Sequence, residues 1–254
     1  MLDFACTLAD AAAEVILPHF RSQLAVDNKA GPAAFDPVTV ADRDAETAMR
    51  ALIEQHHPEH GILGEEHGVK KGTSDYLWVL DPIDGTRGFM TGLPTWGTLI
   101  GLQQGEKPIV GVMNQPFTRE RFVGSNSGAE LRGRDHVTKL SARRCARLED
   151  AVLSATAPEM FKPDELSRFE ELRRRARLVR WGADCYAYAM LAAGFIDLVV
   201  EPGLKPYDIV ALIPIIEAAG GVVTTWDGGP AHLGGRIIAA GDRALHEAAL
   251  RHLS

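Results

Sequence analysis

The sequence predicts an α/β protein in which helices and sheets are stacked in layers. From Leu178 to Leu253, short β-branched segments alternate with helical patterns, and this alternation is typical of α/β layers. Between residues 95 and 124, three strand-like segments follow one another through short turns, which indicates antiparallel sheet. The chain has 254 residues, of which 46% are hydrophobic. It can therefore bury a large core, in one domain or in two closely fused halves of about 1–150 and 151–254.

Charge and cysteine content argue against several classes of protein. The formal net charge is −7, whereas a general nucleic-acid or membrane-surface binder normally presents a basic face. The three cysteines are widely spaced and form no CxxC pair, so neither a disulfide framework nor a zinc site is predicted. The N-terminus shows no positive leader followed by an apolar core, and no apolar run is long enough to span a bilayer. We expect a cytoplasmic protein without nucleic-acid or membrane partners.

The N-terminal region is predicted to form two helices joined by a loop. Apolar residues recur at helical spacing from Leu2 to Phe20, which indicates a packed outer helix. Two prolines and a glycine interrupt Val26 to Val38, so a mobile loop is expected there. A second apolar stripe predicts a helix from Thr39 to His57.

The densest histidine cluster follows this second helix and reads HHPEH. His56, His57 and His60 invite a metal interpretation. Pro58 argues against it, because proline disrupts the helix that would bring an i, i+4 pair onto one face. We expect His56 and His60 to be exposed residues of a helix-to-strand turn.

Acidic residues concentrate in the stretch Leu77 to Phe89, which reads LWVLDPIDGTRGF. Its apolar, aromatic start predicts a buried strand that stops at Asp81, because Pro82 lacks an N–H and ends ladder pairing. Gly85 permits the backbone angles of a turn. Asp81 and Asp84 would then sit on a stiff turn, where oxygen ligands suit a hard divalent cation such as Mg²⁺. The alternative is an ordinary hairpin turn at the Asp-Gly pair.

The remaining elements follow from short apolar or amphipathic segments. Strands are expected at Thr95 to Leu102, Ile109 to Asn114, Arg121 to Gly124, Leu178 to Trp181, Phe195 to Glu201, Val222 to Thr225 and Arg236 to Ala240. Helices are expected at Pro163 to Ala176, Cys185 to Ala193, Tyr207 to Ala219 and Arg243 to Leu253. Arg173, Arg174 and Arg175 end the first of these helices, and we expect them to form a solvated face rather than a phosphate site.

Three stretches resemble the Mg²⁺-dependent inositol monophosphatase family. Its first signature is similar to WVLDPIDGTRGF, its metal-binding glutamate segment to GILGEEHG, and its second signature to GLKPYDIVALIPIIEAAGG. The resemblance covers nearly the whole chain, and it is closest to the histidinol-phosphatase branch in RWGADCYAYAMLAAGFIDLVVEPGLKPYD. It implies the layered αβαβα sandwich of that family, which periodicity alone does not yield. It also implies a single catalytic domain over residues 1–254.

The resemblance further implies two principal Mg²⁺ ions and a third, weaker one. Glu65, Asp81 and the carbonyl of Ile83 would hold the first ion, whereas Asp81, Asp84 and Asp208 would hold the second. Glu65 would also hold the third ion through waters, which gives it a catalytic role. The position of Asp208 in KPYD also suits a cap at the start of a helix.

The implied reaction is direct hydrolysis of a phosphate monoester by metal-activated water, without a phosphoenzyme. Asp42 and Thr86 would orient and deprotonate the water, and the Gly85 and Thr86 N–H groups would bind phosphate oxygens. Alternatively, Asp42 is only a first-turn acid favoured by the helix dipole. Lys29 matches a lysine that the family holds near the metal site, although a lysine in a polar loop is more often solvated.

Asp184 and Glu201 carry the prediction of substrate. Histidinol-phosphatase relatives have an acid where Asp184 stands, although Ala183 replaces the second of the two glycines that usually precede it. Glu201 matches a substrate-contacting position. Two carboxylates facing the ammonium group of L-histidinol phosphate would form charge-assisted hydrogen bonds. The alternatives are that Asp184 caps the following helix and that Glu201 is a surface acid at a strand end.

These residues together predict a histidinol-phosphatase acting on a small phosphorylated substrate. An inositol-1-monophosphatase or another sugar-phosphate phosphatase is the alternative within the same class. A noncatalytic regulatory member would lack one or more of the carboxylates, and all of them are present. No GxGxxG follows a strand, which argues against a redox or sugar-nucleotide enzyme. Family members are commonly dimers, so a homodimer is expected.

Overall fold

The structure is a computed structural model that describes residues 1–22, 26–28 and 37–253. The helices are α1 (Leu2–Ile16), α2 (Val40–His56), α3 (Thr86–Met90), α4 (Pro163–Arg175), α5 (Asp184–Ala192), α6 (Pro206–Ile209), α7 (Leu212–Ala218) and α8 (Arg243–Leu253). The first ten strands are β1 (Val26–Asn28), β2 (Pro37–Thr39), β3 (Gly61–Gly64), β4 (Gly68–Lys70), β5 (Tyr76–Asp84), β6 (Gly97–Gln104), β7 (Lys107–Gln115), β8 (Glu120–Ser125), β9 (Gly128–Arg132) and β10 (Val137–Lys139). The others are β11 (Val152–Ala155), β12 (Leu178–Trp181), β13 (Leu198–Leu204), β14 (Val222–Thr225) and β15 (Gly235–Ala240).

Two sheets separate three layers of helices. Helices α1 and α2 pack on one face of an eight-stranded sheet ordered β10-β9-β8-β7-β6-β5-β3-β4. Helices α5 and α7 fill the space between this sheet and a five-stranded sheet ordered β12-β11-β13-β15-β14. Helices α4 and α8 cover the outer face of the second sheet. The order of layers is therefore α-β-α-β-α, which confirms the expected layered arrangement.

Strand pairing agrees with the predicted antiparallel and alternating regions. Strands β5 to β10 pair with their sequence neighbours in antiparallel fashion. Among the strands that the structure describes, β3 and β5 form the parallel pair of the large sheet. In the small sheet, β11 is parallel to β12 and β13, while β15 is antiparallel to β13 and β14. Strands β4, β9, β10 and β11 were not predicted. Three of them have only three or four residues, too few to show a period.

The helix predicted from Tyr207 to Ala219 is divided into two. Helix α6 ends at Ile209, and α7 begins at Leu212. Pro214 explains the division. It has no N–H to donate to the carbonyl of Val210, and in a continuous helix its ring would clash with that carbonyl. The break leaves Asp208 in a separate short helix at the end of the large sheet, which contacts β5.

Two further predictions are wrong in part. The strand expected to stop at Asp81 continues to Asp84, because the ladder to β6 is interrupted by a bulge and resumes at Asp84 opposite Gly97. Pro82 lies inside that bulge, where its missing N–H breaks no ladder bond. The loop expected from Val26 to Val38 contains β1 and β2, which pair with each other. Lys29 lies outside the described residues.

The run of three arginines at the end of α4 lies on the protein surface. Arg173, Arg174 and Arg175 are all exposed, and the first two pair with Glu170 and Glu171. Such surface pairs contribute little to stability, as expected of a solvated face. Within the part of the chain that the structure describes, no helix combines the length and apolarity needed to cross a membrane.

Candidate metal and phosphate site

Three aspartates from two separate parts of the chain converge at the end of β5. Asp81 and Asp84 flank the β5 bulge, and Asp208 comes from α6. Each offers a carboxylate oxygen, and these oxygens all lie within 4.8 Å of one another. They open into a cavity of about 250 Å³ that is also lined by Glu65 and Ile83. We call it the acidic cavity.

Local hydrogen bonds hold the chain in position around this cavity. Thr98 Oγ1 donates to the Pro82 carbonyl at 2.8 Å and ties the bulge to β6. Gly85 then takes a left-handed conformation with φ +84° and leads into α3, so the Asp-Gly pair begins a helix rather than a hairpin turn. A Cβ on Gly85 would lie 3.1 Å from the Cβ of Asp184. Glycine is thus required both for the turn and for the close approach of α5.

Glu65 enters the cavity at the end of β3. Its N–H donates to the Leu80 carbonyl, and the next N–H, that of Glu66, donates to the fully buried carboxylate of Glu46 at 2.7 Å. Glu65 lines the acidic cavity, and Glu66 is not among its described lining residues. Of the two adjacent acids, Glu65 is therefore the one that lines the acidic cavity.

The clustered acids strongly perturb one another. Burial, followed by the nearby charges of Glu65, Asp84 and Asp208, raises the pKa of Asp81 well above its ordinary value. Burial and the charges of Asp184 and Asp208 raise the pKa of Asp84 in the same way. Burial also raises the pKa of Asp208 to about 7, against the opposing hydrogen bond from the Lys205 N–H. Like charges in one pocket favour a bound cation or proton.

The donor atoms fit a divalent cation. Asp81 is 2% exposed, and its Oδ1 has no hydrogen-bond partner among the residues that the structure describes. A buried carboxylate oxygen without a partner is rare, and within a set of acidic oxygens it suits a hard cation such as Mg²⁺. The predicted ligands Glu65, Asp81, Ile83, Asp84 and Asp208 all line the acidic cavity.

A second, smaller cavity of about 160 Å³ adjoins the first. Both cavities are lined by Asp84, Thr156, Met160, Asp184 and Asp208. The smaller one extends to a group of side chains on α5 and β13, namely Cys185, Tyr188, Glu201 and Leu204. We call it the recess.

Asp184 lies on the wall that the two cavities share. It is the first residue of α5 and has φ +45°, an unusual angle for a residue other than glycine. No side-chain hydrogen bond caps this helix; instead, the Cys185 N–H donates to Asp84 Oδ2 at 2.7 Å. The predicted alternative of a capping Asp184 is therefore wrong. Burial raises the pKa of Asp184 to about 6, and the charge of Arg87 opposes this shift.

Glu201 is not the surface acid that its strand-end position allowed. It is 2% exposed, and it accepts hydrogen bonds from the Thr156 N–H at 2.7 Å and the Tyr188 hydroxyl at 2.9 Å. Burial raises the pKa of Glu201, while these two hydrogen bonds oppose the shift. Both predicted substrate acids, Asp184 and Glu201, thus line the recess.

Family comparison decides what kind of protein carries this site. The model of the inositol monophosphatase family matches residues 1–254. The chain belongs to the inositol monophosphatase family. It is similar to Bifunctional phosphatase IMPL2, chloroplastic, of Arabidopsis thaliana, at 43% identity over 97% of this chain and 72% of that protein. It is also similar to a histidinol-phosphatase of Mycobacterium tuberculosis, at 34% identity over 100% of this chain and 97% of that protein.

Solved structures show the same fold. An inositol monophosphatase from Zymomonas mobilis superposes with a TM-score of 0.88, at 43% identity over 99% of this chain and 96% of that chain. The chain therefore has the α/β sandwich of inositol monophosphatases and is a phosphatase of that family. The family is typically Mg²⁺-dependent and acts on small phosphorylated substrates, and the acidic cavity is the candidate metal site.

The family resemblance assigns water activation to Asp42 and Thr86, and the structure places only Thr86 in the acidic cavity. Thr86 lines the acidic cavity and donates from Oγ1 to the Ile83 carbonyl at 3.1 Å. Asp42 is buried and is not among the described residues of that cavity; its Oδ2 accepts hydrogen bonds from the N–H and hydroxyl of Thr39. Asp42 thus closes a capping box at the start of α2. Burial chiefly raises its pKa, and the charge of Glu65 contributes.

The histidine cluster lies outside this inositol monophosphatase site. His60 is buried rather than exposed as predicted, because it packs beside Trp78, whose Nε1 donates to His60 Nδ1 at 3.1 Å. Donor atoms of His57, Glu59 and His60 do lie within 4.8 Å of one another. A neutral imidazole that accepts at Nδ1 carries its proton on Nε2, which here faces Glu59 Oε1 at 3.3 Å. That nitrogen offers no lone pair to a metal.

Sequence reasoning missed Thr156, Met160 and Tyr188. Thr156 and Met160 follow the unpredicted strand β11, so nothing in the sequence placed them near the site. Tyr188 had a detectable signal. It lies four residues after Asp184 and therefore on the same face of a predicted helix.

Proposed function

We propose that this chain is a Mg²⁺-dependent histidinol-phosphatase that hydrolyses L-histidinol phosphate to L-histidinol and phosphate. The observation that carries the proposal is the position of Asp184, a carboxylate on the wall between the acidic cavity and the recess. A substrate whose phosphate lies in the acidic cavity would direct its remaining group past this carboxylate. An ammonium group gains a charge-assisted hydrogen bond there, whereas a neutral hydroxyl gains a weaker one.

Mg²⁺ would be held by the acids that converge on the cavity. Glu65, Asp81 and the Ile83 carbonyl would hold one ion, Asp81, Asp84 and Asp208 a second, and Glu65 a third through waters. When bound, Mg²⁺ lowers the pKa of water and neutralises charge on the phosphate. The orphaned Asp81 Oδ1 and the mutual repulsion of the acids support this assignment.

The chain's own residues would orient the water and the phosphate. The Thr86 hydroxyl donates a hydrogen bond to the Ile83 carbonyl, so the lone pairs of Oγ1 can accept a hydrogen bond from water. Asp42 would take up the proton that this water loses, while Thr86 only orients the water; the charge of Glu65, a residue of the acidic cavity, acts on Asp42 and supports a place near the reaction. The Gly85 and Thr86 N–H groups would bind phosphate oxygens at the start of α3. As the water oxygen bonds to phosphorus, the bond from phosphorus to the histidinol oxygen would break, and that oxygen would take a proton from solvent water.

Glu201 and Asp184 would together receive the ammonium group of the substrate. Two hydrogen bonds already hold Glu201, and each carboxylate oxygen keeps a further lone pair for a ligand. Similarity to the Mycobacterium tuberculosis histidinol-phosphatase supports this choice of substrate. We further propose that the protein is cytoplasmic and acts as a homodimer. Light scattering coupled to gel filtration tests the dimer directly.

A panel of three phosphate monoesters tests the proposed substrate. Purified protein in saturating Mg²⁺ should show a higher kcat/KM for L-histidinol phosphate than for inositol 1-phosphate. Asp184→Asn should erode this preference and spare p-nitrophenyl phosphate, since asparagine tolerates positive φ but carries no charge. Asp164→Asn is the matched control, because Asp164 is also a first-turn acid, on α4, and lies outside both cavities.

Inositol-1-monophosphatase activity is the second candidate. The 43% identity to the Zymomonas mobilis inositol monophosphatase favours it, as does 35% identity to an inositol-1-monophosphatase of Caulobacter vibrioides over 87% of this chain. A wild-type preference for inositol 1-phosphate would establish this candidate and refute the first. If Asp184→Asn lowers kcat/KM equally for all three substrates, Asp184 does not select the substrate.

A further inference from the structure

Glu201 is buried and is held by one hydrogen bond to each of its carboxylate oxygens. Its side chain emerges from β13 just before a bulge and is 2% exposed. One carboxylate oxygen accepts from the Thr156 N–H at 2.7 Å and the other from the Tyr188 hydroxyl at 2.9 Å. The first donor belongs to the backbone, so only Tyr188 can be altered without moving the chain.

Tyr188 connects Glu201 to Asp184 through a single helix. It lies one turn after Asp184 on α5, which places both side chains on the face that lines the recess. Tyr188 is itself 2% exposed, so its ring is fixed by packing. Helix α5 therefore sets the position of one acid directly and of the other through a phenolic hydrogen bond.

We infer that Tyr188 is a positioning residue that holds the Glu201 carboxylate toward the non-phosphate part of the substrate. In this way it sets the discrimination among phosphate monoesters. The inference rests on the proposed function, in which that part of the substrate lies in the recess. A glutamate side chain has several rotatable bonds, and ordering it costs free energy that a buried hydrogen bond offsets. Without the phenolic donor, one buried carboxylate oxygen loses its partner. The carboxylate then reorients or binds a proton, and either change weakens its contact with a cationic or hydroxylated ligand.

The chain supplies a matched control in Tyr186. This residue lies on the same helix two positions earlier, and its hydroxyl donates to Glu120 on β8 at 2.6 Å. Tyr186 therefore makes the same kind of tyrosine-to-glutamate hydrogen bond, directed at the large sheet instead of the recess. Tyr186 is only half-buried, but a general effect of removing a hydrogen-bonded phenol from α5 would be common to both residues.

The experiment compares Tyr188→Phe with Tyr186→Phe on the preferred substrate of the panel and on p-nitrophenyl phosphate. For Tyr188→Phe we expect KM for the preferred substrate to rise roughly tenfold, the effect of one hydrogen bond to a charged group, with little change in kcat. Both parameters for p-nitrophenyl phosphate should stay within about twofold, and Tyr186→Phe should keep the wild-type preference. In the double variant Tyr188→Phe/Glu201→Gln, the rise in KM should be smaller than the product of the rises in the two single variants.

Three outcomes of this comparison would overturn the inference. Equal losses on both substrates, the same pattern in Tyr186→Phe, or fully multiplicative effects in the double variant would make Tyr188 a packing residue only. If Tyr188→Phe does not fold, Glu201→Gln alone must still raise KM for the preferred substrate and spare p-nitrophenyl phosphate, or the inference fails. A preference for inositol 1-phosphate that Tyr188→Phe erodes would refute histidinol phosphate as the substrate and still support the positioning role.

Discussion

Two buried aspartates of this protein differ in how their charge is satisfied. Asp197 is fully buried on the small-sheet side, where it accepts hydrogen bonds from Arg143 Nε at 2.8 Å and the Val152 N–H at 2.7 Å. Asp81 is almost as buried, but its neighbours are three more acids, and its Oδ1 has no partner among the described residues. The Asp197 carboxylate is therefore neutralised by its own chain, whereas the Asp81 carboxylate requires a bound cation or a proton.

The difference separates a structural charge from a functional one. A buried acid whose partners are supplied by the fold contributes to folding, and removing it leaves a cation without its partner. A buried acid among like charges destabilises the folded chain until a cation binds. Substitution of Asp197 should therefore lower the stability of the fold, whereas substitution of Asp81 should lower the activity.

The largest expected effect is the loss of phosphatase activity in Asp81→Asn. Asparagine keeps the size of the side chain but removes the charge that would hold two cations. Phosphate release in saturating Mg²⁺ should fall by at least about 10²–10³-fold, the range for removing one preorganised electrostatic contact. Thermal unfolding in EDTA should show no loss of stability. Near wild-type turnover would remove Asp81 from the proposed site.

Asp197→Asn should show the reverse pattern. Loss of its charged hydrogen bonds with Arg143 should lower the free energy of unfolding by about 1.5–3 kcal/mol, as measured by urea denaturation. Turnover per folded molecule should remain at the wild-type value, because Asp197 lines neither cavity. A selective loss of activity without loss of stability would undo the comparison.

A smaller, pH-dependent effect is expected for Asp208→Asn in metal-free protein. The unfolded chain releases the Asp208 proton at pH of about 4, whereas the folded chain releases it near the raised pKa of about 7. The stability due to this group is therefore present at low pH and is lost as the pH rises between those values. In EDTA, Asp208→Asn should raise Tm by roughly 2–4 °C or more at pH 8 and leave it nearly unchanged at about pH 4, where Asp208 keeps its proton in the folded chain. A similar gain at both pH values would show that ionisation of Asp208 is not the cause.

The Asp81 region was largely predictable from the sequence, and its surroundings were not. Asp81, Asp84 and Gly85 lie within five residues of one another, so local residue types and the family resemblance identify them together. The continuation of β5 past Pro82 depends on β6 resuming its pairing at Gly97, and no local pattern encodes that. The burial of His60, which precedes β3, likewise depends on Trp78 of β5.

The recess shows the same limit more clearly. Asp184 and Glu201 were identified by resemblance, but the donors that hold Glu201 come from the end of β11 and from α5. Strand β11 has four residues, too short to show a period, and its register with β13 is set only when the small sheet forms. Hydrogen bonds between elements distant in sequence are the part that required the structure.

The most direct test of the metal assignment is a crystal of the protein soaked in Mn²⁺, with anomalous diffraction used to locate the ion. Mn²⁺ accepts the same carboxylate and carbonyl ligands as Mg²⁺. We predict anomalous peaks in the acidic cavity, bounded by Asp81, Asp84 and Asp208, that disappear in Asp81→Asn and persist in Asp197→Asn. Density between His57 and His60 with none in the acidic cavity would contradict the account.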